Sequence, residues 1–161
     1  MRWPALLTAA VPFVLMFGTV VANAAPRYVD LETYSPETDR FWEVGWELLS
    51  DYQQACLNGR CHGAYADHRP LQLRCSVDTE TGDVAECRWL FAAVNITVDP
   101  ATGVTHAAAT VNDCVLPLTP GTSAIALVNA LAVPDPLEAR LPGGADRMWD
   151  ARTACLGGGR A

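Results

Sequence analysis

The sequence predicts an α+β fold in which an N-terminal helix, a three-stranded antiparallel β-meander and two C-terminal helices are stapled by disulfides. Three observations predict it. Apolar residues recur at helical spacing over residues 37–57. Over residues 71–116 they alternate with period two in three segments that short turns separate. After Pro117 the helical spacing returns, so one face of the sheet should pack on helices.

The first helix is predicted over residues 37–57, with Ser35 as its cap and Pro36 in its first turn. Asn58-Gly59 ends it. We expect the residues beside the main apolar stripe to pack into the core as well, in preference to forming a partner-binding face; these are Trp42, Trp46 and Leu49. The main stripe itself consists of Phe41, Val44, Leu48, Tyr52 and Ala55.

The three strands are predicted over residues 71–77, 84–98 and 104–116. The turns between them, residues 78–83 and 99–103, each contain a glycine and are short, which favours an antiparallel meander. Two further helices are predicted, one over residues 124–132 and one over 145–156. Either Thr119-Pro120 or Thr122-Ser123 caps the first of these two helices.

Residues 1–24 are predicted to be a signal peptide. Arg2 gives a positive start, Ala5 to Val21 is almost wholly apolar, and Ala22-Asn23-Ala24 has the small-x-small pattern of a cleavage site. A retained anchor is the alternative, but the apolar run lies at the short limit for crossing a bilayer. We therefore expect residues 25–161 to form a single domain, periplasmic or secreted, that has no membrane contact after cleavage.

An even number of cysteines in an exported chain predicts three disulfides. A hairpin turn near residue 81 places Cys75 opposite Cys87, and Cys56 and Cys61 flank the Asn58-Gly59 turn. Cys114–Cys155 would then fix the last helix to the sheet. A rival set joins the first helix to the sheet through Cys56 or Cys61. The six cysteines are Cys56, Cys61, Cys75, Cys87, Cys114 and Cys155.

The charge balance restricts the class of partner. The chain carries 11 basic and 18 acidic residues, a net charge of −7, and all of its basic residues are arginine, which is typical of a GC-rich bacterial genome. An acidic surface repels phosphate backbones, so no nucleic-acid partner is expected. It suits a basic protein partner, although charge that only keeps the protein soluble is the simpler alternative.

The sequence contains no arrangement typical of catalysis, cofactor binding or metal binding. Cys-x-x-Cys and Gly-x-Ser-x-Gly are both missing. If Cys61 is bonded, the nearby His62, Asp67 and His68 and the distant His106 lack a thiolate partner for a zinc site. We therefore expect no catalytic, cofactor or metal residues and no enzyme activity. A secreted enzyme with an unrecognised site is the alternative.

Residues 58–69 are predicted to be a polar loop held at its base by a disulfide. Such a loop loses little entropy on binding, and Tyr and Arg concentrate binding energy at interfaces. An ordinary connecting loop is the alternative. The predicted partner-binding residues are Arg60, His62, Tyr65, Asp67, His68 and Arg69.

In export, small size, disulfides and acidic charge, the chain resembles the periplasmic immunity proteins that protect Gram-negative bacteria from type VI secretion effectors. It also resembles periplasmic lysozyme inhibitors. The resemblance lies in the general plan and carries over no individual residue. It implies a binding protein that blocks a cell-wall-degrading enzyme or toxin, with a basic hydrolase or toxin as the partner. A structural or assembly component of the bacterial envelope is the alternative. The oligomeric state is left open.

Overall fold

The computed structural model describes residues 25–34, 37–61, 67–144 and 146–156. The fold is α+β, as predicted, but its antiparallel sheet has four strands in the order β1-β2-β3-β4 instead of three. The strands are β1 Tyr28–Asp30, β2 Asp67–Asp78, β3 Val84–Val98 and β4 Thr105–Val115. The α-helices are α1 Thr38–Leu57, α2 Ala124–Leu131 and α3 Met148–Cys155, and a 3-10 helix spans Leu31–Thr33.

The first α-helix, α1, is not the first element of the domain, which corrects the prediction. Strand β1 precedes it and pairs antiparallel with the end of β2, over Ser76 to Asp78. The carboxylate of Asp30 then accepts a hydrogen bond from the Glu32 amide (2.9 Å) and starts the 3-10 helix. A strand of three residues is too short to show a period-two pattern, so the sequence alone does not reveal β1.

Helix α1 buries the predicted stripe. Its first residue is Thr38, and Ser35 and Pro36, predicted to start it, lie outside the described residues. The buried side of the helix packs against β2, α2 and the 3-10 helix. Because every residue of this set is nearly inaccessible, the helical spacing identified the core side correctly: Phe41, Val44, Leu48, Tyr52 and Ala55.

The β2–β3–β4 meander follows the prediction, except at the start of β2. Strand β2 begins at Asp67, inside the predicted loop, because its pairing with β3 continues as far as Asp67 opposite Val94. A register shift between Pro70 and Gln72 interrupts the alternation. Leu73, Cys75 and Val77 therefore point into the core as predicted, whereas Leu71 is exposed.

The three disulfides are the predicted set: Cys56–Cys61, Cys75–Cys87 and Cys114–Cys155. The last of them ties α3 to β4, and Cys75 and Cys87 are direct partners across β2 and β3. Three disulfides in a domain of this size indicate folding in an oxidising compartment outside the cytoplasm. Over the described ranges, the structure contains no helix with the length and apolarity needed to cross a membrane.

The two C-terminal helices cover the remaining core. Ser123 caps α2 by accepting a hydrogen bond from the Ala126 amide (3.2 Å), which selects the second of the two predicted caps. Helix α3 begins at Met148, three residues later than predicted. The core side of the sheet therefore faces α1, α2 and α3, while its other side, the outer face, has no described helix against it.

Candidate protein-binding surface

Two tryptophans of α1 are exposed, which contradicts the expectation that they pack in the core. Trp42 is 52% exposed and Trp46 is 66% exposed. They lie one helical turn apart on the same side of the helix. The main stripe already fills the space between α1 and the sheet, so the side chains beside it cannot be buried there as well. Two large aromatic side chains on one stable helix are an apolar surface that a monomer rarely leaves uncovered.

The tryptophans border an apolar groove between α1 and β2, which we call the tryptophan groove. It encloses about 150 Å³, and apolar cavities of about this size hold a benzene-sized group. The core residues Phe41, Leu48 and Trp89 form its floor. The remaining residues line its sides: Glu32, Trp42, Gly45, Trp46, Leu49, Leu71, Gln72 and Leu73.

Gly45 keeps the groove open from the α1 side. It lies in the middle of the helix, between the two tryptophans, where glycine costs about 1 kcal/mol relative to alanine. A Cβ placed at this position would meet no atom within 4 Å, so no packing contact requires glycine there. Any larger side chain would project into space that the groove now occupies. Glycine at this position therefore lowers helix stability without relieving any crowding, and it adds open space to the groove.

Leu71 closes the opposite side of the groove because of the bulge in β2. It is the extra residue at the register shift between Pro70 and Gln72. Bulges re-aim side chains and are frequent beside functional sites. In regular alternation Leu71 would share the buried side of the strand with Leu73; in the structure its side chain is half-exposed at the groove. The bulge therefore adds a third large apolar side chain to the surface of the two tryptophans.

The rim of the groove carries one acidic residue, Glu32. At this end Arg74 forms ion pairs with Glu32 and, at 3.1 Å, with Asp30. Glu43 and Glu47 lie on another flank of α1, where they line a separate depression with Ala132, Val133 and Pro134. Farther along the helix, burial, Asp135 and Glu47 raise the pKa of Asp51 above its usual value. The groove itself is therefore apolar, and the net negative charge belongs to the chain as a whole.

No protein-family model matches the chain, and searches of curated proteins and of solved structures give no significant match. The chemistry of the surface therefore carries the functional argument.

The sequence contained one signal for this surface that helical spacing did not use. Gly45 lies between two tryptophans in a segment that otherwise favours a helix, and a glycine inside a helix often has a packing or functional reason. The bulge at Leu71 had no comparable signal. Its position depends on how β2 pairs with β3, which a strand's own alternation does not reveal.

Of the six residues predicted to bind a partner, Arg60 has contacts within the domain. Its guanidinium pairs with Glu138 (2.6 Å) and stacks on the Trp149 ring, with Cζ 4.2 Å from the ring centroid. The buried Arg152 guanidinium also stacks on this ring, at 4.2 Å. Arg60 therefore connects the end of α1 to the C-terminal part of the chain, next to the Cys56–Cys61 disulfide.

The other five predicted residues do not form one described surface. His62 and Tyr65 lie outside the described residues, and so does the side chain of Asp67, whose backbone begins β2. His68 is buried on the core side of the sheet, opposite Ala93. Arg69 is exposed on the outer face, opposite Ala92. Because neighbours in a strand point to opposite faces, His68 and Arg69 do not share a surface. A binding role for the loop stays a prediction.

All six cysteines are disulfide-bonded, so none is available as a thiolate nucleophile or ligand. In the described part of the chain, no group of three or more His, Cys, Asp or Glu side chains is placed to hold a metal ion.

Proposed function

We propose that this protein is exported to the periplasm or cell exterior, where it binds and blocks a basic cell-wall-degrading enzyme or toxin. In this account it is an inhibitor or immunity protein. The observation that carries the proposal is the pair of exposed tryptophans beside an apolar groove on a stable helix.

The groove has the composition of an energetic centre in a protein interface. Tryptophan is enriched among the residues that contribute most to binding, and such residues cluster around pockets that exclude water. Its indole buries a large apolar area while losing only two side-chain torsions. We infer that an apolar side chain of the partner inserts between Trp46 and Leu71, while the tryptophans cover the loop that carries it.

The net charge of the protein favours a basic partner. At −7, the chain attracts positively charged proteins at long range. Such fields raise association rates more than they raise affinity. Enzymes and toxins that act on an anionic cell wall need a positively charged surface, which is why we choose this partner class.

The disulfides supply the preorganisation that an inhibitor requires. Cys56–Cys61 holds the end of α1, and Cys75–Cys87 lies on the strand pair that carries Leu71. Because both walls of the groove are fixed before binding, little ordering entropy is lost on association.

The proposal is tested by measuring inhibition. Residues 25–161 are titrated into a basic lysozyme and into the hydrolase encoded beside this gene, and turnover of peptidoglycan is recorded. We expect stoichiometric inhibition of at least one enzyme, with Trp46→Ala weakening it at least about 10-fold. Ile125→Ala, which removes a half-exposed apolar side chain of α2 that does not line the groove, is the matched control. Equal inhibition by both variants, or none by the native protein, contradicts the proposal.

A second function, as a structural or assembly component of the envelope, is favoured by one specific observation. Strand β4 is an edge strand of the sheet, and its Thr105–Asn112 segment contains no charged residue and no proline. Natural proteins usually protect such edges, and an open edge accepts a strand from another chain. Strand addition at this edge predicts that the average molecular mass keeps rising with protein concentration. An inhibitor instead forms a complex of fixed composition with its target.

A further inference from the structure

The three disulfides differ in how accessible they are to an external thiol. Cys56 and Cys61, which are bonded to each other at the end of α1, are both partly exposed. Cys75 and Cys87, which are bonded to each other across β2 and β3, are 3% and 1% exposed. Thiol–disulfide exchange begins when a thiolate attacks a disulfide sulfur, so its rate depends on access to that sulfur. Access therefore favours exchange at Cys56–Cys61 over exchange at Cys75–Cys87.

The third disulfide, Cys114–Cys155, is protected in a different way. Cys155 is partly exposed on α3, but Cys114 is 1% exposed in the core. A thiolate that attacked Cys155 would release Cys114 as a thiolate in apolar surroundings, where the charged form of a thiol is disfavoured. Exchange at this disulfide therefore has a poor leaving group, although one of its cysteines is accessible.

A buried cation contacts Cys61. Arg152 of α3 is 4% exposed, and its Nη2 donates a hydrogen bond to the Cys61 Sγ at 3.6 Å. The same guanidinium stacks on the Trp149 ring, with Cζ 4.2 Å from the ring centroid, and on the Tyr52 ring at 5.2 Å. An arginine beside a cysteine stabilises its thiolate. The ring contacts therefore hold a positive charge at the sulfur that would become negative when the disulfide opens.

The two sulfurs of Cys56–Cys61 are not equivalent. Cys56 lies in the last turn of α1, and the C-terminus of a helix carries a partial negative charge that disfavours a thiolate. Cys61, in contrast, contacts the Arg152 cation. Exchange is faster when the departing sulfur is the better-stabilised thiolate. The geometry therefore predicts that an external thiolate attacks Cys56 and that Cys61 departs.

Opening Cys56–Cys61 should leave the fold intact. The sequence separation of its cysteines is 5, against 41 for Cys114–Cys155. A disulfide that closes a shorter loop restricts the unfolded chain less, so it contributes less to stability. Arg60, between the two cysteines, also holds the loop through Glu138 (2.6 Å) and the Trp149 ring. This disulfide can therefore open in the folded protein.

We propose that Cys56–Cys61 is a thiol-exchange site, which an external dithiol opens while the other two disulfides stay closed. One thiolate of the dithiol attacks the Cys56 Sγ, which forms a mixed disulfide and releases the Cys61 thiolate beside Arg152. The second thiolate of the dithiol then attacks its own partner sulfur in the mixed disulfide and releases the Cys56 thiolate. The dithiol is oxidised to a disulfide, and the protein gains two electrons and two protons as a pair of thiols. The proposal does not depend on the tryptophan groove.

Peptide mapping of residues 25–161 tests which disulfide opens and in which direction. The folded protein is treated briefly with the monothiol glutathione, which stops the reaction at the mixed disulfide, and free thiols are then blocked with iodoacetamide. Trypsin cleaves after Arg60, so Cys56 and Cys61 fall in different peptides for mass spectrometry. We expect glutathione on Cys56, the alkyl group on Cys61, and the other two disulfides intact.

Three results of the mapping would overturn the proposal. The first is glutathione mainly on Cys61, which means that Cys56 departs. The second is opening of another disulfide as early as Cys56–Cys61. The third is a folded protein in which no disulfide opens. Because the mapping uses the native chain alone, it decides the proposal even if a variant at Arg152 fails to fold.

A pair of variants tests the role of the cation. Arg152→Met removes the charge beside Cys61 and keeps a long apolar side chain, and the rate of opening by dithiothreitol is expected to fall at least about 5-fold. Arg60→Met is the matched control, because Arg60 stacks on the same Trp149 ring at the same 4.2 Å but pairs with Glu138. It is expected not to slow the reaction. Circular dichroism verifies that both variants fold. An unchanged rate in folded Arg152→Met, or equal slowing in both variants, contradicts the proposal.

Discussion

The two halves of the β3–β4 pair use the same kinds of residue in opposite ways. In the proximal half, Trp89 and Phe91 point at the helices, and Cys114 is bonded to Cys155 of α3. In the distal half, Ile96 and Val98 point away from them. Period-two alternation is present in both halves. The comparison shows that alternation defines two faces of a strand, whereas the side that becomes the core depends on which elements cover each face.

The largest difference is expected from truncating one apolar residue in each half. Phe91→Ala should lower the free energy of unfolding by about 3–5 kcal/mol, because it leaves a cavity between sheet and helices. Ile96→Ala should change it by less than about 0.5 kcal/mol, since the side chain is already exposed. Urea unfolding of both variants measures this difference. Comparable losses would mean that the distal half is also part of the core.

Removing the covalent link of the proximal half is expected to have a slightly smaller effect. Replacing Cys114 and Cys155 together by alanine should cost about 4 kcal/mol in the chain-entropy account, because the closed loop spans a sequence separation of 41. The same replacement at Cys56 and Cys61, with a separation of 5, should cost about 2 kcal/mol. Urea unfolding of both double variants checks this order. A costlier loss at Cys56–Cys61 contradicts it.

The smallest effect is expected when acid protonates Asp99 in the turn between β3 and β4. Hydrogen bonds from the Ala101 and Thr102 amides hold the pKa of Asp99 below its ordinary value of 3.8, so its contribution to stability is present above that value and lost as pH falls. Acidification to about pH 3 should therefore lower the protection of the tip amides against hydrogen exchange, relative to their intrinsic exchange rates at the same pH, before it affects the core strands. Asp99→Asn, which keeps an acceptor oxygen, should remove this loss of protection. An equal loss of protection at the tip in that variant contradicts the prediction.

Sequence patterns identified the elements whose signals are local. The helical stripe from Phe41 to Ala55 is buried as expected, and a turn near residue 81 was sufficient to place Cys75 opposite Cys87. Strand β1 was missed because a three-residue strand is defined by its partner, the end of β2, and not by its own pattern. The early start of β2 was missed for the same reason.

The candidate surface was less predictable than the fold. Trp42 and Trp46 were expected in the core because hydrophobicity was taken to imply burial, whereas the contact between α1 and the sheet has room for one stripe only. Leu71 depends on a bulge, and a bulge appears only when two strands are paired. The pattern of a single strand or helix therefore does not reveal the properties that depend on strand pairing or on which elements cover a face.

The central claim, that the tryptophan groove binds a partner protein, is tested most directly by filling the groove from Gly45. Gly45→Leu places a branched side chain in the groove, while Gly45→Ala adds one methyl group and should stabilise the helix by about 1 kcal/mol. Both variants are titrated calorimetrically into the hydrolase that the native protein inhibits. The account predicts near-native affinity for Gly45→Ala and at least about 10-fold weaker binding for Gly45→Leu, in a protein no less stable than the native one. Native affinity in a correctly folded Gly45→Leu variant would contradict it.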